Sequence, residues 1–279
     1  MMKILTSFKR LPIGVMLSGI ILVIVLLWMI LPDIFAPHAL EQDLLSSRLP
    51  AGSPGHLLGT DTLGRDVLGL LIAGTYSAMI GPVCIAVGSL MIGLLLGNIA
   101  GWYGGWYDRV ISAYADLTLS MPSMLLAIAA AGIIGGGYWV SVLVMIILYS
   151  PADIRLVRAA VIQQKGKPYI ESALVMRLKS TQILTRHIFP NISRIVLVNF
   201  FLNIAYGLVS MSSLSFLGLG VGPGDADWGR QLADGRRYLL DNPALSVGTG
   251  LAIIFTAVAI NVIGNYAMEK GDLNGTKSS

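Results

Sequence analysis

The chain has 279 residues, of which 55% are hydrophobic and 12% are charged, and its formal net charge is +4. Soluble domains carry about 25% charged residues, so half that share, together with a mean hydropathy of +0.75, excludes an ordinary soluble protein and indicates a membrane protein. The single cysteine, Cys84, excludes a disulfide framework within the chain, and the positive charges do not form the aromatic-rich stripe that is typical of nucleic-acid binding.

Runs without charged residues predict six membrane-spanning helices, because a hydrocarbon core of about 30 Å needs about 20 helical residues. The first run, 11–32, exceeds the length of a signal-peptide hydrophobic region, so we expect a retained anchor preceded by a cytoplasmic segment, 1–10. The triple glycine at 135–137 is a poor helix interior and is expected to separate the third and fourth spans. The other five spans are predicted at 79–101, 110–133, 138–152, 195–224 and 242–268.

The distribution of Lys and Arg predicts the orientation of these spans. The segment 153–194 has eight Lys/Arg against two acids, Asp153 and Glu171. The segment 33–66 has two Lys/Arg against five acids, and 225–241 has three Arg against four Asp. Since cytoplasmic loops are enriched in positive charge, 153–194 and both termini are expected inside the cell.

The predicted fold is therefore an all-α membrane protein with six transmembrane helices. Its expected parts are the N-terminal segment, the first helix, an outside segment at 33–78, a core of five helices at 79–268 that carries a basic loop at 153–191, and a cytoplasmic tail at 269–279. Within the core, Gly93, Gly97 and Gly101 repeat the spacing that lets helix backbones approach closely in lipid. Packing within the chain and packing between two copies are both compatible with this pattern.

A short amphipathic helix is predicted inside the basic segment. Pro168 suits a first helical position, and Glu171 then falls in the first turn, where a carboxylate complements the helix dipole. The spacing of Ile170, Leu174 and Leu178 places them on one face. A solvated basic loop is the alternative interpretation of this segment.

The same helix has features that favour docking. Ser172 and Ala173 leave a flat patch of small residues, which is suited to insertion into a partner's groove. Further along, Pro190 is expected to stop the next segment, and Asn191 is expected to cap the helix after it.

Three patterns resemble importer permeases. Glu171-Ser172-Ala173, followed by His187-Ile188-x-Pro190-Asn191, resembles the EAA loop of ATP-binding-cassette importer permeases, with Arg177 where that family usually has Gly. The stretch Leu58–Asp66, LGTDTLGRD, resembles the signature of the dipeptide/oligopeptide/nickel permeases. The stretch Ser213–Val221, SLSFLGLGV, with Trp228-Gly229 after it, is similar to a further segment of the same permeases.

The resemblance implies two groups of functional residues. The loop that couples to an ATPase would comprise Glu171, Ser172, Ala173, Leu174, Arg177, His187, Pro190 and Asn191. The extracytoplasmic motif would comprise Gly59, Thr60, Asp61, Gly64, Arg65, Asp66, Ser215, Phe216, Gly218 and Trp228.

The resemblance also implies a role and partners. The chain would be the C-type permease of a pair, forming half of a path for di- or oligopeptides, nickel or metal chelates. Its expected partners are a second homologous permease, two ATPase subunits and an extracytoplasmic substrate-binding protein, in the cytoplasmic (inner) membrane of a prokaryote. The chain has no P-loop sequence, so it is expected to be non-catalytic and without a cofactor, and ATP and Mg would be bound by the ATPase subunits.

Other charged residues have weaker functional interpretations. Asp116 lies inside a predicted span, where pairing with a neighbouring helix is favoured over a transport role. Asp61, Arg65 and Asp66 are expected to form a charge-paired turn, with direct substrate contact as the alternative. Three further acids could hold a cation, although a solvated loop is favoured, and the three His are too scattered to predict a metal cluster. These residues are Asp225, Asp227, Asp234, His38, His56 and His187.

Two other functions are compatible with parts of this pattern. A self-sufficient secondary transporter or channel would need buried ionisable residues in several spans and an inverted repeat, and only Asp116 is expected inside a span. A non-transporting membrane scaffold would leave the two outer motifs without a purpose.

Overall fold

A computed structural model describes residues 12–222, 224–240 and 242–275 of the chain. The predicted N-terminal segment 1–10 and the end of the predicted tail, 276–279, lie outside the described residues. Within them the chain forms helices and turns, with two isolated β-bridges, Ser53–His56 and Thr60–Asp66. Five helices are long and apolar enough to cross a membrane, and a bent helix pair provides a sixth span if it is counted as one. The predicted all-α membrane fold is confirmed.

The helices have the following bounds in chain order. They are α1 (Ile13–Ile30), α2 (Pro32–Phe35), α3 (Val67–Ala73), α4 (Thr75–Tyr103), α5 (Gly105–Leu119), α6 (Ser123–Ile134), α7 (Tyr138–Lys165), α8 (Pro168–Val175), α9 (Ser180–Gln182), α10 (Phe189–Phe216), α11 (Trp228–Gly235) and α12 (Ala244–Gly275). A π-helical segment, Ile183–Ile188, joins α9 to α10.

The centre of the bundle is the pair α4 and α7, which run side by side in the same direction. A Cβ placed on Gly93 would lie 2.4 Å from the Cβ of Asp153, and one on Gly97 would lie 2.8 Å from the Cβ of Val157. Real Cβ atoms do not approach so closely, so the glycines of the repeated G-x-x-x-G are what permit this contact. The motif therefore mediates packing within the chain, which was one of the two interpretations of the glycine repeat.

The helices α5 and α6 connect the end of α4 to the start of α7. They do not form the straight span predicted at 110–133. Their axes are bent by 88° at the break between Leu119 and Ser123. Pro122 lies at this break, where it precedes α6 with an extended backbone. Proline lacks the N–H that a continuous helix would use there, so the helix is interrupted.

The predicted boundary of the basic segment at residue 153 is wrong, because α7 continues to Lys165. Two of the arginines that made 153–165 look like a loop are paired with acids of α5. Arg155 contacts Asp116 at 2.5 Å, and Arg158 forms an ion pair with Asp108. Paired charges on neighbouring helices allow α7 to extend beyond its apolar section, and they confirm the expected pairing of Asp116.

The two sequence motifs lie at opposite ends of this bundle. The helix α4 has 29 residues and is therefore about 44 Å long at 1.5 Å per residue. The stretch Leu58–Asp66 immediately precedes α3 at one end of it, whereas α8 packs near Trp102 at the other end.

Candidate functional site

The first candidate site is α8, which the predicted proline begins. Pro168 occupies the first turn, and the side chain of Glu171 is exposed there. The buried face of α8 consists of Ile170 and Ala173, which are 0% and 1% exposed. Ser172 is exposed, and its hydroxyl donates to the carbonyl oxygen of Pro168 at 3.1 Å.

The buried face of α8 rests on an apolar cluster at the ends of three long helices. Residues of α4, α7, the π-helical segment and α10 contribute to this cluster together with α8. Its buried members are Trp102, Val157, Ala160, Val161, Ile170, Ala173, Ile183, Ile188, Ile192 and Val196. A movement of α8 therefore cannot occur without moving the ends of α7 and α10, because well-packed interiors transmit displacement.

The outward face of α8 differs from the predicted one. Ala173 is buried against the bundle and is not available to a partner, so the predicted docking patch of small residues is wrong at that position. Leu174 does not share a buried face with Ile170 and is 48% exposed. Together with Val175 at 83% and Met176 at 65% exposure, it forms an apolar patch, which we call the α8 tip.

The α8 tip ends in a turn that requires an unusual backbone conformation. Arg177 has φ of 55°, in the left-handed region where glycine is favoured. The Arg177 N–H donates to the Leu174 carbonyl at 2.9 Å, and the Leu178 N–H donates to the Ala173 carbonyl at 3.2 Å. These two bonds define a Schellman motif, so the turn that glycine permits in similar sequences is kept here with arginine in its place.

The predicted stop at Pro190 is also wrong, because the chain is helical on both sides of it. The π-helical turn before Pro190 is closed by the Phe189 N–H, which donates to the Leu184 carbonyl. Extra backbone turns of this kind are how helices accommodate an interior proline. Asn191 does not cap a helix start, since its side-chain amide donates to the carbonyl oxygen of His187 at 2.6 Å.

The second candidate site is the turn Leu58–Asp66, which is organised around a buried carboxylate. The Asp61 Oδ1 accepts the backbone N–H groups of Leu63 and Arg65 at 2.8 and 2.9 Å. The Asp61 Oδ2 accepts the Arg65 Nε at 2.8 Å, and both side chains are largely buried. Asp66 begins α3 by accepting the Gly69 N–H at 2.7 Å. The predicted charge-paired turn is confirmed.

Close packing and side-chain hydrogen bonds hold this turn against residues 43–49 and against Asn242, which precedes α12. A Cβ on Gly59 would lie 2.3 Å from the Leu49 carbonyl oxygen, and one on Gly64 would lie 1.7 Å from the Asp43 carbonyl oxygen. The Thr60 hydroxyl donates to the Ser46 carbonyl at 2.5 Å. The Asn242 side-chain amide, which the sequence did not single out, donates to the carbonyls of Leu49, Leu58 and Thr60.

The third motif lies beside this turn at the end of α10. The helix ends at Phe216 instead of the predicted 224, because Gly218 has φ of 83° and closes a second Schellman motif. Ser215 is buried. The guanidinium of Arg236 lies over the Phe216 ring at 5.5 Å. Trp228 is fully buried, and its Nε1 donates to the Leu71 carbonyl at 2.8 Å.

The remaining acids do not form a metal centre in the described part of the chain, where no group of three possible ligands is found. Asp227 is buried and caps α11 by accepting the Arg230 N–H at 3.0 Å, and burial raises the pKa of its carboxyl. Asp225 and Asp234 are exposed, and Asp234 contacts Arg230 at 3.4 Å. His38 contacts Glu41, and His56 contacts Asp66.

Sequence reasoning missed two buried acids: Asp227, for which the expected solvated loop is wrong since it is 4% exposed, and Asp153. Asp153 was assigned to the basic loop, but its side chain is 0% exposed between α4, α7 and α10. Its partners are the amides of Asn199 and Asn203 on α10. The signal that could have found it is the glycine spacing of α4, which requires a neighbouring helix along its whole length.

Comparison with known proteins identifies the family. Residues 93–270 match the family described as "Binding-protein-dependent transport system inner membrane component". The chain belongs to this family. It is thus a multi-pass inner-membrane protein of a prokaryote and the permease type of subunit.

Individual relatives agree with this assignment. The chain is 35% identical to the glutathione transport system permease protein GsiD of Pectobacterium atrosepticum, over 82% of this chain and 76% of the relative. It is 31% identical to the probable D,D-dipeptide transport system permease protein DdpC of Escherichia coli, over 94% and 88% of the two chains. It is 33% identical to the di/tripeptide transport system permease protein DppC of Pseudomonas aeruginosa, over 78% and 72%.

A solved structure supports the fold. The permease resembles a chain of the MetNI methionine ABC transporter in an inward-facing conformation, with a TM-score of 0.60 at 16% identity. The similarity covers 73% of this permease and 96% of the other chain.

Proposed function

We propose that this permease forms half of the translocation path of an ATP-binding-cassette importer for di- or oligopeptides. A second homologous permease would form the other half, and two ATPase subunits would bind and hydrolyse ATP. The observation that supports the proposal is α8. One face of this short helix packs on the bundle, and its C-terminal end exposes the apolar α8 tip.

The α8 tip is the surface that we assign to the ATPase. Burying a valine or methionine side chain that was exposed stabilises a complex by about 1.5–3 kcal/mol, and Val175 and Met176 are both largely exposed. Exposed basic residues precede and follow the tip in the sequence. They are Lys167, Arg177, Lys179 and Arg186. An apolar pocket with an acidic rim on the ATPase would complement this surface.

The opposite end of the bundle is the surface that we assign to the extracytoplasmic binding protein. Asn242 donates to the Leu58 and Thr60 carbonyls of the turn, and Trp228 of α11 donates to the Leu71 carbonyl of α3, the helix that directly follows the turn. Within the turn, the Asp61 carboxylate is satisfied by two backbone N–H groups and by Arg65. The Arg65 guanidinium also reaches across to the Gly224 carbonyl at 3.2 Å. This motif supports a rigid platform better than a substrate-binding site. Peptides are proposed as cargo because three relatives are named for glutathione or peptide transport.

The alternative is a self-sufficient secondary transporter, and the buried Asp153 is the observation in its favour, since an ionisable residue inside a span is a functional-site candidate. The two functions differ in their energy source. Proteoliposomes that contain only this permease would import peptides without ATP if the alternative held.

The docking assignment is tested by measuring the affinity of the ATPase for the purified permease pair. The double variant Val175→Asp/Met176→Asp is expected to lose at least about 3 kcal/mol, which is a more than 100-fold weaker Kd. The control is Leu240→Asp at the other end of the bundle, where the leucine is 98% exposed. An unchanged Kd for the α8-tip variant would refute the assignment, and ATP-dependent uptake of a radiolabelled dipeptide mixture would test the function itself.

A further inference from the structure

A buried polar cluster joins the three helices at the centre of the bundle. The Asp153 Oδ1 accepts the side-chain amide of Asn203 at 2.9 Å, and the Oδ2 accepts the same amide at 3.0 Å. The amide of Asn199 also donates to Oδ1. Asn203 additionally contacts the hydroxyl of Ser89 on α4 at 3.4 Å. All three helices thus contribute to one hydrogen-bonded layer.

The buried part of the layer is tightly packed. Asp153 and Ser89 are 0% exposed and Asn203 is 8% exposed, so a carboxylate that lost its amide partners would be poorly compensated in a low-dielectric interior. The Cβ of Asp153 lies against Gly93, where even one added carbon would approach within 2.4 Å. The side chain of Asp153 is therefore held by its packing as well as by its hydrogen bonds.

The chemistry of this cluster does not favour a cation site. The amide nitrogens of Asn199 and Asn203 are directed at the carboxylate, so they offer it N–H donors. A hard cation would need several oxygen ligands directed at one point. The cluster is built to hold the carboxylate in place.

The position of the layer relates it to α8. On α7, Val157 and Val161 follow Asp153 by one and two turns, and both belong to the apolar cluster beneath α8. On α10, Val196 belongs to the same cluster and lies one turn before Asn199 and two turns before Asn203. Displacement of α8 thus reaches the polar layer through about 6 to 12 Å of packed helix at 1.5 Å per residue.

We infer that Asp153 is a positioning residue for transport: it locks α7 and α10 to α4, so that a stroke delivered at α8 moves the three helices as one body. The inference rests on the proposed function, because it assumes that an ATPase acts on α8. Apolar packing allows small sliding between helices, whereas a carboxylate held by two amides fixes both their distance and their register. Without the layer, part of the stroke would be lost as slippage at the ends of α7 and α10.

The test compares two leucine variants, since leucine resembles aspartate and asparagine in shape. Asp153→Leu leaves both amides without their acceptor and is expected to reduce the amount of assembled complex. The triple variant Asp153→Leu/Asn199→Leu/Asn203→Leu replaces the carboxylate and both amides by apolar groups, which is often neutral for stability. Ser89 keeps the Ala86 carbonyl as a hydrogen-bond partner. Full complexes with both permeases, the ATPases and the binding protein are reconstituted in proteoliposomes. The readout is dipeptide imported per ATP hydrolysed, measured on purified assembled complexes.

The triple variant is expected to assemble like the wild type but to import about threefold less dipeptide per ATP, which is within the range by which coupling residues act. A triple variant with the wild-type ratio would overturn the inference and leave the layer a purely structural role. If neither leucine variant can be purified, Asp153→Asn replaces them. It turns one of the two oxygens that accept the Asn203 amide into a donor facing that amide, so the layer is weakened, and an unchanged ratio there would overturn the inference. A wild-type complex that hydrolyses ATP without importing any dipeptide would instead refute the proposed function.

Discussion

The Schellman motifs that end α8 and α10 allow the cost of a positive φ to be tested twice, once by a substitution expected to stabilise and once by one expected to destabilise. Both close a helix with a residue of positive φ, which is Arg177 after α8 and Gly218 after α10. We therefore predict that Arg177→Gly stabilises the end of α8 and that Gly218→Arg destabilises the end of α10.

The expected magnitude follows from two terms. A non-glycine residue in the left-handed region costs about 1–2 kcal/mol relative to glycine, and the greater freedom of glycine in the unfolded chain offsets about 0.4–1 kcal/mol of this. The net change is therefore about 1 kcal/mol for either substitution. No atom lies within 4 Å of a Cβ placed at Gly218, so the cost of Gly218→Arg is confined to the backbone.

Amide hydrogen exchange of the purified permease measures both effects locally. The amides of Leu178 and Leu219 report the motifs, because each donates the longer-range bond of its turn, to Ala173 and Leu214. A change of about 1 kcal/mol corresponds to about fivefold in the exchange rate. Leu178 should exchange about fivefold more slowly in Arg177→Gly, and Leu219 about fivefold faster in Gly218→Arg.

The opposite-sign design provides its own control. Each variant is the reference for the other site, since Leu219 should not change in Arg177→Gly. Unchanged or faster exchange of Leu178 in Arg177→Gly would refute the reasoning. It would show that the Arg177 side chain contributes more to the α8 tip than its backbone strain removes.

Three further predictions concern packing, pH and the outer turn. Gly93→Ala should lower the thermal stability of the purified permease, because its methyl group would collide with α7. The control Gly132→Ala has open space around the added methyl group and should leave the melting temperature unchanged. Equal melting temperatures for the two variants would contradict the close α4–α7 contact. Burial raises the pKa of Asp227 above its ordinary 3.8, so the stability gained from its protonation is fully present below pH 3.8 and is lost as pH rises through the raised pKa. Asp227→Asn keeps the cap and should flatten this part of the curve of stability against pH. A variant curve parallel to that of the wild type would refute the prediction. Arg65→Met should destabilise the outer turn by about 3 kcal/mol, because it leaves the buried Asp61 carboxylate with two backbone N–H donors but no cation. Asp61→Asn should cost less, because it retains an acceptor for the two N–H groups and Arg65 keeps the Gly224 carbonyl. The reverse order in thermal unfolding would be incompatible with the buried pair.

The sequence by itself determined the features that depend on neighbouring residues or on composition. The apolar runs are long enough to require membrane-spanning helices. The spacing of Asp61 and Arg65 places a carboxylate four residues before its cation, within one turn of chain, so the charge-paired turn could be predicted. The glycine repeat in α4 likewise indicated a close helix contact, although not which helix would fill it.

Only the tertiary structure decided which groups meet across the bundle. Sequence periodicity placed Ile170 and Leu174 on one face, but the cluster at the ends of α7 and α10 buries Ala173 and leaves Leu174 outside. The charges of α7 read as a loop because their partners lie on α5, far away in the chain. Asp153 read as one more loop acid because the amides that bind it come from α10. Long-range partners decide whether a polar residue is solvated or buried, and a single sequence does not contain that information.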